Sequence, residues 1–164
     1  MLDGDLDGLV AAETIDLYDL FQPYAPAVLA WALRHWRYAS GHPLVFTMDD
    51  FVRFVDWADD RSGREAQRFW FGVLDVDGDG RVGPEDAKFF YDAVEKAPGC
   101  VISFEDLWAQ IQDMVEPADP RRGFTFAELR RSQLGHGVIG LLTNHNSMLL
   151  QRTTAEWQRG EFPL

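Results

Sequence analysis

Apolar residues recur at helical spacing along most of this chain. No segment alternates apolar and polar residues for long enough to predict a strand of useful length. The pattern therefore predicts an all-α protein whose apolar stripes form the core. Each of three stripes falls on one face of a predicted helix: Phe51, Phe54 and Val55; Phe69, Trp70 and Val73; and Phe104, Leu107, Trp108, Ile111 and Val115.

A short motif recurs at the start of several predicted helices. It consists of an apolar pair, a Ser or Thr, acidic residues, and an aromatic residue or Leu. The motif occurs as VFTMDDF at 45–51, VISFEDL at 101–107 and GFTFAEL at 123–129. A repeat of this form predicts several copies of one helix-loop-helix unit.

The segment between two of these helices, DVDGDGRVGPED at 75–86, has the spacing of a calcium-binding loop. Such a loop takes oxygen ligands from positions one, three, five and twelve and a backbone carbonyl at seven, with a sharp glycine turn at six. Gly80 stands at position six, and Val82 at position eight suits a short strand that pairs with a second loop. The predicted ligands are Asp75, Asp77, Asp79, the Arg81 carbonyl and Asp86.

Asp86 stands where the calcium loop prefers Glu. Its side chain is one methylene shorter, so bidentate contact requires the exiting helix to move inward. The loop spacing makes Ca2+ the expected ion. Mg2+ is the alternative, because a contracted shell of six oxygens suits it better than Ca2+. An acidic turn that binds no metal is the plainer interpretation, because Asp and Gly favour turns for local reasons. That interpretation leaves the fixed offsets of the ligands unexplained.

The recurring motifs, aligned on this loop, keep an acid at position twelve but lose the early ligands. In the first copy Ala39, Gly41 and Pro43 stand at positions one, three and five. These copies are predicted to keep the fold without binding metal. Their acids at position twelve are Asp50, Asp106 and Glu128.

A further loop opens the chain as DGDLDGLVAAET. Asp3, Asp5 and Asp7 are in register, but Thr14 at position twelve cannot chelate bidentately. No helix precedes this loop, and its abrupt start leads us to expect a fragment of a longer chain. The missing parts weigh against metal binding by residues 3–14.

Pairing neighbouring loops predicts two helical lobes of EF-hand type and a helical C-terminal tail. In this scheme the loop at Asp3 pairs with the loop ending at Asp50, and the loop at Asp75 pairs with the loop ending at Asp106. Residues 57–66 form the joint, and residues 116–123 mark a second boundary. The predicted domains are 1–58, a degenerate EF-hand lobe; 64–116, an EF-hand pair with one near-complete calcium loop; and 117–164, a degenerate EF-like element with the tail.

Composition and charge narrow the partners. The 164 residues contain 27 acids against 15 Lys and Arg, which gives a net charge of −12. This excess argues against nucleic acid and anionic membrane surfaces, since both attract basic patches. The single cysteine, Cys100, cannot form an internal disulfide and is expected to be a packed apolar residue. No signal segment or long apolar span is visible, so a cytoplasmic location is expected.

No nucleophile and base come together in the sequence, so the protein is predicted not to be an enzyme. The histidines lack zinc-site spacing and are interpreted as surface or packing residues: His35, His42, His136 and His145. One basic concentration is interpreted as a solvated face, with an acidic partner as the alternative: Arg121, Arg122, Arg130 and Arg131.

The segment RFWFGVLDVDGDGRVGPEDAKFFYDA resembles the calcium segment of the B-double-prime regulatory subunits of protein phosphatase 2A. The flanking FTMDDFVRFV and ISFEDLWAQIQDMVEPADP are similar to that family's elements in order and spacing. The tail GVIGLLTNHNSMLLQRTTAEW looks closest to the branch with the plant Tonneau/FASS proteins, which organise cortical microtubules. The resemblance runs from about Val28 to Trp157 and corresponds to the C-terminal part of a family member.

This resemblance implies a non-catalytic subunit that joins the phosphatase scaffold and catalytic subunits and directs them to substrates, with calcium modulating assembly. Microtubule-associated partners, and a place at the cytoskeleton, centrosome or cilium, follow from the Tonneau/FASS branch. A cytoskeletal or ciliary EF-hand adaptor without phosphatase is the alternative. A free calcium buffer or sensor is less favoured, because such proteins need several competent loops.

Overall fold

The chain folds into short helices connected by loops that pair through very short strands. The structure, a computed structural model, describes residues 8–12, 14, 24–95 and 102–144. The helices in this part of the chain are α1 (Pro26–His35), α2 (Met48–Asp59), α3 (Arg64–Leu74), α4 (Pro84–Glu95), α5 (Phe104–Val115), α6 (Phe126–Ser132) and α7 (Gly135–Thr143). The strands are β1 (Leu9–Ala11), β2 (Val45–Thr47), β3 (Arg81–Val82) and β4 (Phe124–Thr125).

The Ser or Thr of the recurring motif is the N-cap of a helix. The side chains of Thr47, Ser103 and Thr125 each accept a hydrogen bond from the backbone N–H three residues later, at the start of α2, α5 and α6. At α6 the bond is reciprocated by Glu128, whose side chain reaches back to the N–H of Thr125 and completes a capping box. The repeat found in the sequence is therefore a recurring N-cap motif at the start of a helix.

Two antiparallel strand pairs join the loops. β1 pairs with β2, with Val10 opposite Phe46, and β3 pairs with β4, with Val82 opposite Phe124. All of these residues stand at position eight of their loops, and all are fully buried. The expectation that Val82 pairs with a second loop is confirmed, as is the pairing of the first loop with the loop ending at Asp50.

The predicted pairing of the Asp75 loop with the loop ending at Asp106 is wrong. β3 pairs with β4, which lies in the loop ending at Glu128. The reason is that α5 leads into the loop ending at Glu128 and α6 leads out of it, so α5 is the first helix of the second unit. The segment before Ser103 therefore connects two helix-loop-helix units and is not itself the paired loop.

The predicted all-α fold of EF-hand pairs in two lobes is confirmed, with one small sheet in each lobe. The apolar stripes of the sequence supply the core, which runs continuously from Val10 through Trp70 to Leu142. Of the large aromatics, Trp36 is buried, whereas Trp31 and Trp108 are half-buried against the core. No helix in the described part of the chain is long and apolar enough to cross a membrane.

Several sequence-based predictions fall outside the described residues. These concern the ligand positions Asp3, Asp5 and Asp7, the cysteine Cys100, the histidine His145, and the tail beyond Asn144. The predicted tail begins with α7, which is apolar and largely buried. The domain boundaries at 1–58, 64–116 and 117–164 stay predictions, and the strand pairing places the loop after residue 116 beside the Asp75 loop.

Candidate metal centre

Three carboxylates of the predicted calcium loop come together. Oxygens from Asp75, Asp77 and Asp86 all lie within 4.8 Å of one another. α3 ends at Leu74 and α4 begins at Pro84, so the two helices deliver Asp75 and Asp86 to either end of the loop. Gly80 turns the chain between them with a φ of +85°, a left-handed conformation that favours glycine.

Asp75 is the carboxylate of this group whose environment best fits a cation. Its Oδ2 accepts the N–H of Gly80 at 2.9 Å, whereas its Oδ1 is buried without a hydrogen-bond partner among the described residues. Burial raises the pKa of this carboxyl and outweighs the lowering effect of the backbone N–H groups of Gly80 and Gly78, while the nearby Asp79 and Asp86 charges raise it further. A buried carboxylate oxygen with no donor fits a hard divalent cation, which prefers such oxygens.

The other predicted ligands are placed differently. Asp77 accepts the N–H of Asp79, and Asp79 accepts the N–H of Arg81, at 3.1 and 2.8 Å. Asp79 is exposed and is not in the group of three close carboxylates. The loop residues thus fit a cation through Asp75, Asp77 and Asp86, with Asp79 and the Arg81 carbonyl as the remaining predicted ligands.

Asp86 closes the loop by hydrogen bonding to its backbone. Its Oδ1 accepts the N–H of Val76 at 3.0 Å and its Oδ2 accepts the N–H of Gly83 at 2.8 Å. These amides belong to positions two and nine of the loop. The shorter acid at position twelve therefore reaches both ends of the loop, and it is buried there.

The loop ending at Glu128 is closed in the same way without metal ligands at its early positions. Glu128 accepts the N–H of Ala118 at 2.8 Å and the N–H of Thr125 at 2.7 Å, which are again positions two and nine. The amide of Ala118 is the main cause that holds the pKa of Glu128 below its ordinary value, and Thr125 and Arg81 act in the same direction. In the loop ending at Asp50, the acid instead accepts the N–H of Ala39 at 2.7 Å.

Arg81 crosses from the predicted metal loop into its partner loop. Its Nη2 donates to the carbonyl of Gly123 at 3.0 Å and lies 3.6 Å from Oε2 of Glu128. Gly123 and Glu128 stand at positions seven and twelve, whose oxygens would bind calcium in a competent loop. The guanidinium therefore contacts two of the groups that a metal ion would otherwise contact.

Gly123 is a second residue whose importance the sequence did not reveal. Its φ is +77°, and a Cβ built on it would lie 1.9 Å from the carbonyl oxygen of Val82. The paired strands approach so closely here that only glycine fits. The sequence signal that could have found both residues is the position they share. Arg81 and Gly123 each stand at position seven of a loop, directly before the apolar residues Val82 and Phe124 that pair with each other.

Thr14, at position twelve of the first loop, donates its hydroxyl to the carbonyl of Ala11 at 2.7 Å. No acid occupies that position, so the closure made by Asp86 and Glu128 has no equivalent there. The early acids of this loop lie outside the described residues, and metal binding by residues 3–14 stays an open prediction.

The fold and the paired loops define an EF-hand protein, and comparison with known proteins places it beside one group. No family model matches the chain. Two Arabidopsis thaliana proteins named as probable serine/threonine protein phosphatase 2A regulatory subunits, B''epsilon and B''delta, are 28% and 31% identical over 109 and 110 residues, or 64% of this chain. The human B'' subunit alpha is 30% identical over 96 residues, or 53% of this chain.

The aligned region is a small part of those relatives. It covers 20% of each Arabidopsis protein and 8% of the human one. A solved chain described as a PP2A PR70 holoenzyme and labelled diCa matches with a TM-score of 0.76 at 23% identity. The match covers 92% of this chain and 56% of that chain, and it shows the shared fold. The relatives support the B-double-prime resemblance and give no support to the Tonneau/FASS branch.

Proposed function

We propose that this chain belongs to a non-catalytic regulatory subunit of a protein phosphatase 2A-type holoenzyme and binds calcium at the Asp75 loop. The observation that carries the proposal is the similarity to several proteins named B'' regulatory subunits, across plant and animal sequences. The proposed partners are the phosphatase scaffold and catalytic subunits. Because the chain spans about a fifth of its plant relatives, any further contribution from such a parent protein lies outside this proposal.

The loop chemistry supports calcium as the ion. Three carboxylates lie within 4.8 Å of one another, and one of their oxygens is buried without a donor among the described residues. A bound divalent cation would neutralise these charges and fix the angle between α3 and α4, which hold the two ends of the loop. The label of the PR70 structure agrees with calcium, and nothing in the comparisons favours magnesium.

The pairing of Val82 with Phe124, at position eight of the two loops, supports a partner-binding surface that forms without a bound ion. Glu128 closes its loop with backbone hydrogen bonds, and the buried Val82 and Phe124 hold the two loops together. The fold is thus retained where metal ligands are absent, as an interaction module requires. Calcium would then adjust a surface that already exists, and scaffold binding would weaken without calcium but would not vanish.

The test is capture of purified phosphatase scaffold subunit by the immobilised chain, with calcium and with chelator. The wild-type chain should retain scaffold in both conditions and retain more with calcium. Asp75→Ala combined with Asp77→Ala should reduce the calcium-loaded amount to the level seen with chelator. Asp56→Ala combined with Asp113→Ala is the matched control, because it removes two exposed acids outside the loop.

Scaffold capture that fails in every condition would overturn the phosphatase assignment and favour the EF-hand adaptor. Capture that ignores both calcium and the loop variants would keep the assignment and remove the regulatory role of the ion. The microtubule link and a cytoskeletal, centrosomal or ciliary location stay predictions of the sequence resemblance. A cytoplasmic location is likewise proposed on the sequence alone.

A further inference from the structure

A groove of about 920 Å3 lies outside the Asp75 loop, none of whose residues line it. Residues from α2, from α3 and from the end of α1 line it. Its floor is aromatic: the ring centroids of Trp57 and Phe69 lie 5.2 Å from that of Trp36. Its volume is in the range of pockets that accommodate a ligand or a few side chains.

The groove is basic in a strongly acidic protein. Four of the 15 basic residues line it, against one acid, Glu65: Arg37, Arg53, Arg64 and Arg68. All four arginines are exposed. They come from α2, α3 and the segment after α1, so they reach the groove from different sides. The groove is therefore locally positive although the whole chain carries a net charge of −12.

The arginines are available to a partner. Within the described part of the chain, Arg37, Arg64 and Arg68 form no ion pair. Nη1 of the exposed Arg53 lies 4.0 Å from Oδ1 of the buried Asp50. Arg68 is held in place by stacking on Phe126, with its guanidinium carbon 4.8 Å from the ring centre. An exposed, oriented guanidinium suits bidentate binding of a carboxylate.

The charge changes from positive to negative along the groove. At the end near Arg64, an adjoining depression is lined by acids, Asp56, Asp59 and Asp60. Anionic groups are therefore attracted to the end formed by Arg37, Arg53 and Arg68 and repelled from the other. Guanidinium groups spread along an open aromatic groove fit spaced carboxylates on an extended chain better than a single phosphate, which needs converging donors.

We propose that this groove binds an acidic linear segment of another protein, with an apolar side chain on the aromatic floor and its carboxylates on Arg37, Arg53 and Arg68. The complementarity of charge and the aromatic floor together carry this assignment. It does not depend on the phosphatase role, because the arginines and aromatic rings that carry it belong to the groove itself.

The probe is a short fluorescein-labelled peptide with Phe flanked by Asp and Glu, followed by fluorescence anisotropy. The same peptide with Lys in place of the acids should not bind. Arg37→Gln combined with Arg53→Gln should weaken binding of the acidic peptide at least about tenfold. Arg121→Gln combined with Arg131→Gln, which removes two exposed charges elsewhere, should change it by less than about twofold.

Arg37→Gln alone removes an exposed side chain that makes no hydrogen bond or ion pair within the described part of the chain. It therefore tests the groove with little effect on the fold, and thermal unfolding checks that the variant stays native. It should weaken binding in the same direction as the double variant. Absence of binding by the wild-type chain, or equal loss in the groove and control variants, would overturn the proposal. Binding of only a phosphoserine version of the peptide would also overturn it, because the groove would then bind phosphate groups and not carboxylates.

Discussion

The guanidinium of Arg81 and the carboxylate of Glu128 lie 3.6 Å apart across two paired loops. Both side chains are largely shielded from solvent, at 19% and 11% exposure. Arg81 belongs to the loop predicted to bind metal, and Glu128 closes the loop that lacks metal ligands. The two loops are therefore linked by charge as well as by the strand pair.

The Arg81 and Glu128 side chains should show a measurable coupling in stability. We expect Arg81→Gln and Glu128→Gln each to lower the free energy of unfolding. The loss in the double variant should be smaller than the sum of the two single losses by about 1 kcal/mol. Urea unfolding of the four proteins gives this coupling. Strict additivity would show that the 3.6 Å contact contributes nothing.

Glu128 should make stability depend on pH in the acid range. Its folded pKa lies below the ordinary 4.5. A lowered folded pKa means that the stabilising contribution is complete above about pH 4.5 and is lost as the pH falls through the lower folded value. The stability gap between wild type and Glu128→Gln, measured by urea unfolding, should therefore narrow below pH 4.5. Glu116→Gln, at an exposed position, is the control and should show no such gap.

The Asp75 loop should bind terbium and transfer energy to it from Trp70. Trp70 lies on α3 five residues before Asp75, about 7–8 Å of helix rise. Asp75→Ala should remove most of the sensitised emission, whereas Asp113→Ala, at an exposed position on α5, should leave it unchanged. Emission that persists in Asp75→Ala would move the site elsewhere in the chain.

Asp86→Glu should tighten calcium binding and sharpen its preference over magnesium. Glu128 shows that a glutamate at position twelve can accept the amides of positions two and nine in this fold. The longer side chain could therefore reach the ion without moving α4, and we expect a gain on the order of tenfold in calcium affinity. Calorimetry with both ions measures it, and Asp113→Glu serves as the control. An unchanged or weaker affinity would contradict this account of position twelve.

Gly123→Ala should damage the loop pair far more than Gly41→Ala. The two glycines have similar φ values of +77° and +75°, so the backbone strain of an added Cβ is about 1–2 kcal/mol at each. At Gly41 the added atom meets open space, whereas at Gly123 it would meet the carbonyl of Val82. We expect Gly123→Ala to lose several kcal/mol more stability and to weaken terbium binding as well. Equal losses in the two variants would show that the strands can separate at little cost.

The sequence predicts the helices and the tight turn of the Asp75 loop well because both depend on local chemistry. The N-cap residues Thr47 and Thr125, and the turn at Gly80, act within a few residues of their own position. The apolar stripes likewise report the side of each helix that faces the core. These features need no knowledge of which segments meet in space.

The loop pairing could not be predicted in this way. Ile102 and Phe124 are both apolar at position eight of candidate loops, so the local pattern does not choose between them. The choice depends on α5 acting as the first helix of the second unit. The contacts of Arg81 with Gly123 and Glu128 follow from that choice, because they join residues more than 40 positions apart. Long-range packing therefore determines which loops pair, and the order of the loops along the sequence predicted the wrong partner for the Asp75 loop.

A guanidinium is tethered to its own chain, so its presence in the Glu128 loop does not vary with the concentration of any free ion. The Arg81 guanidinium contacts the Gly123 carbonyl and the Glu128 carboxylate whether or not calcium is present, so the partner loop is expected not to respond to calcium. Within this pair, ion binding at the Asp75 loop would have no second event with which to cooperate. Calcium binding by the loop pair should therefore follow a simple hyperbola, with saturation rising gradually over about two decades of free calcium concentration. A pair with two competent, cooperative loops would instead saturate over a narrower range.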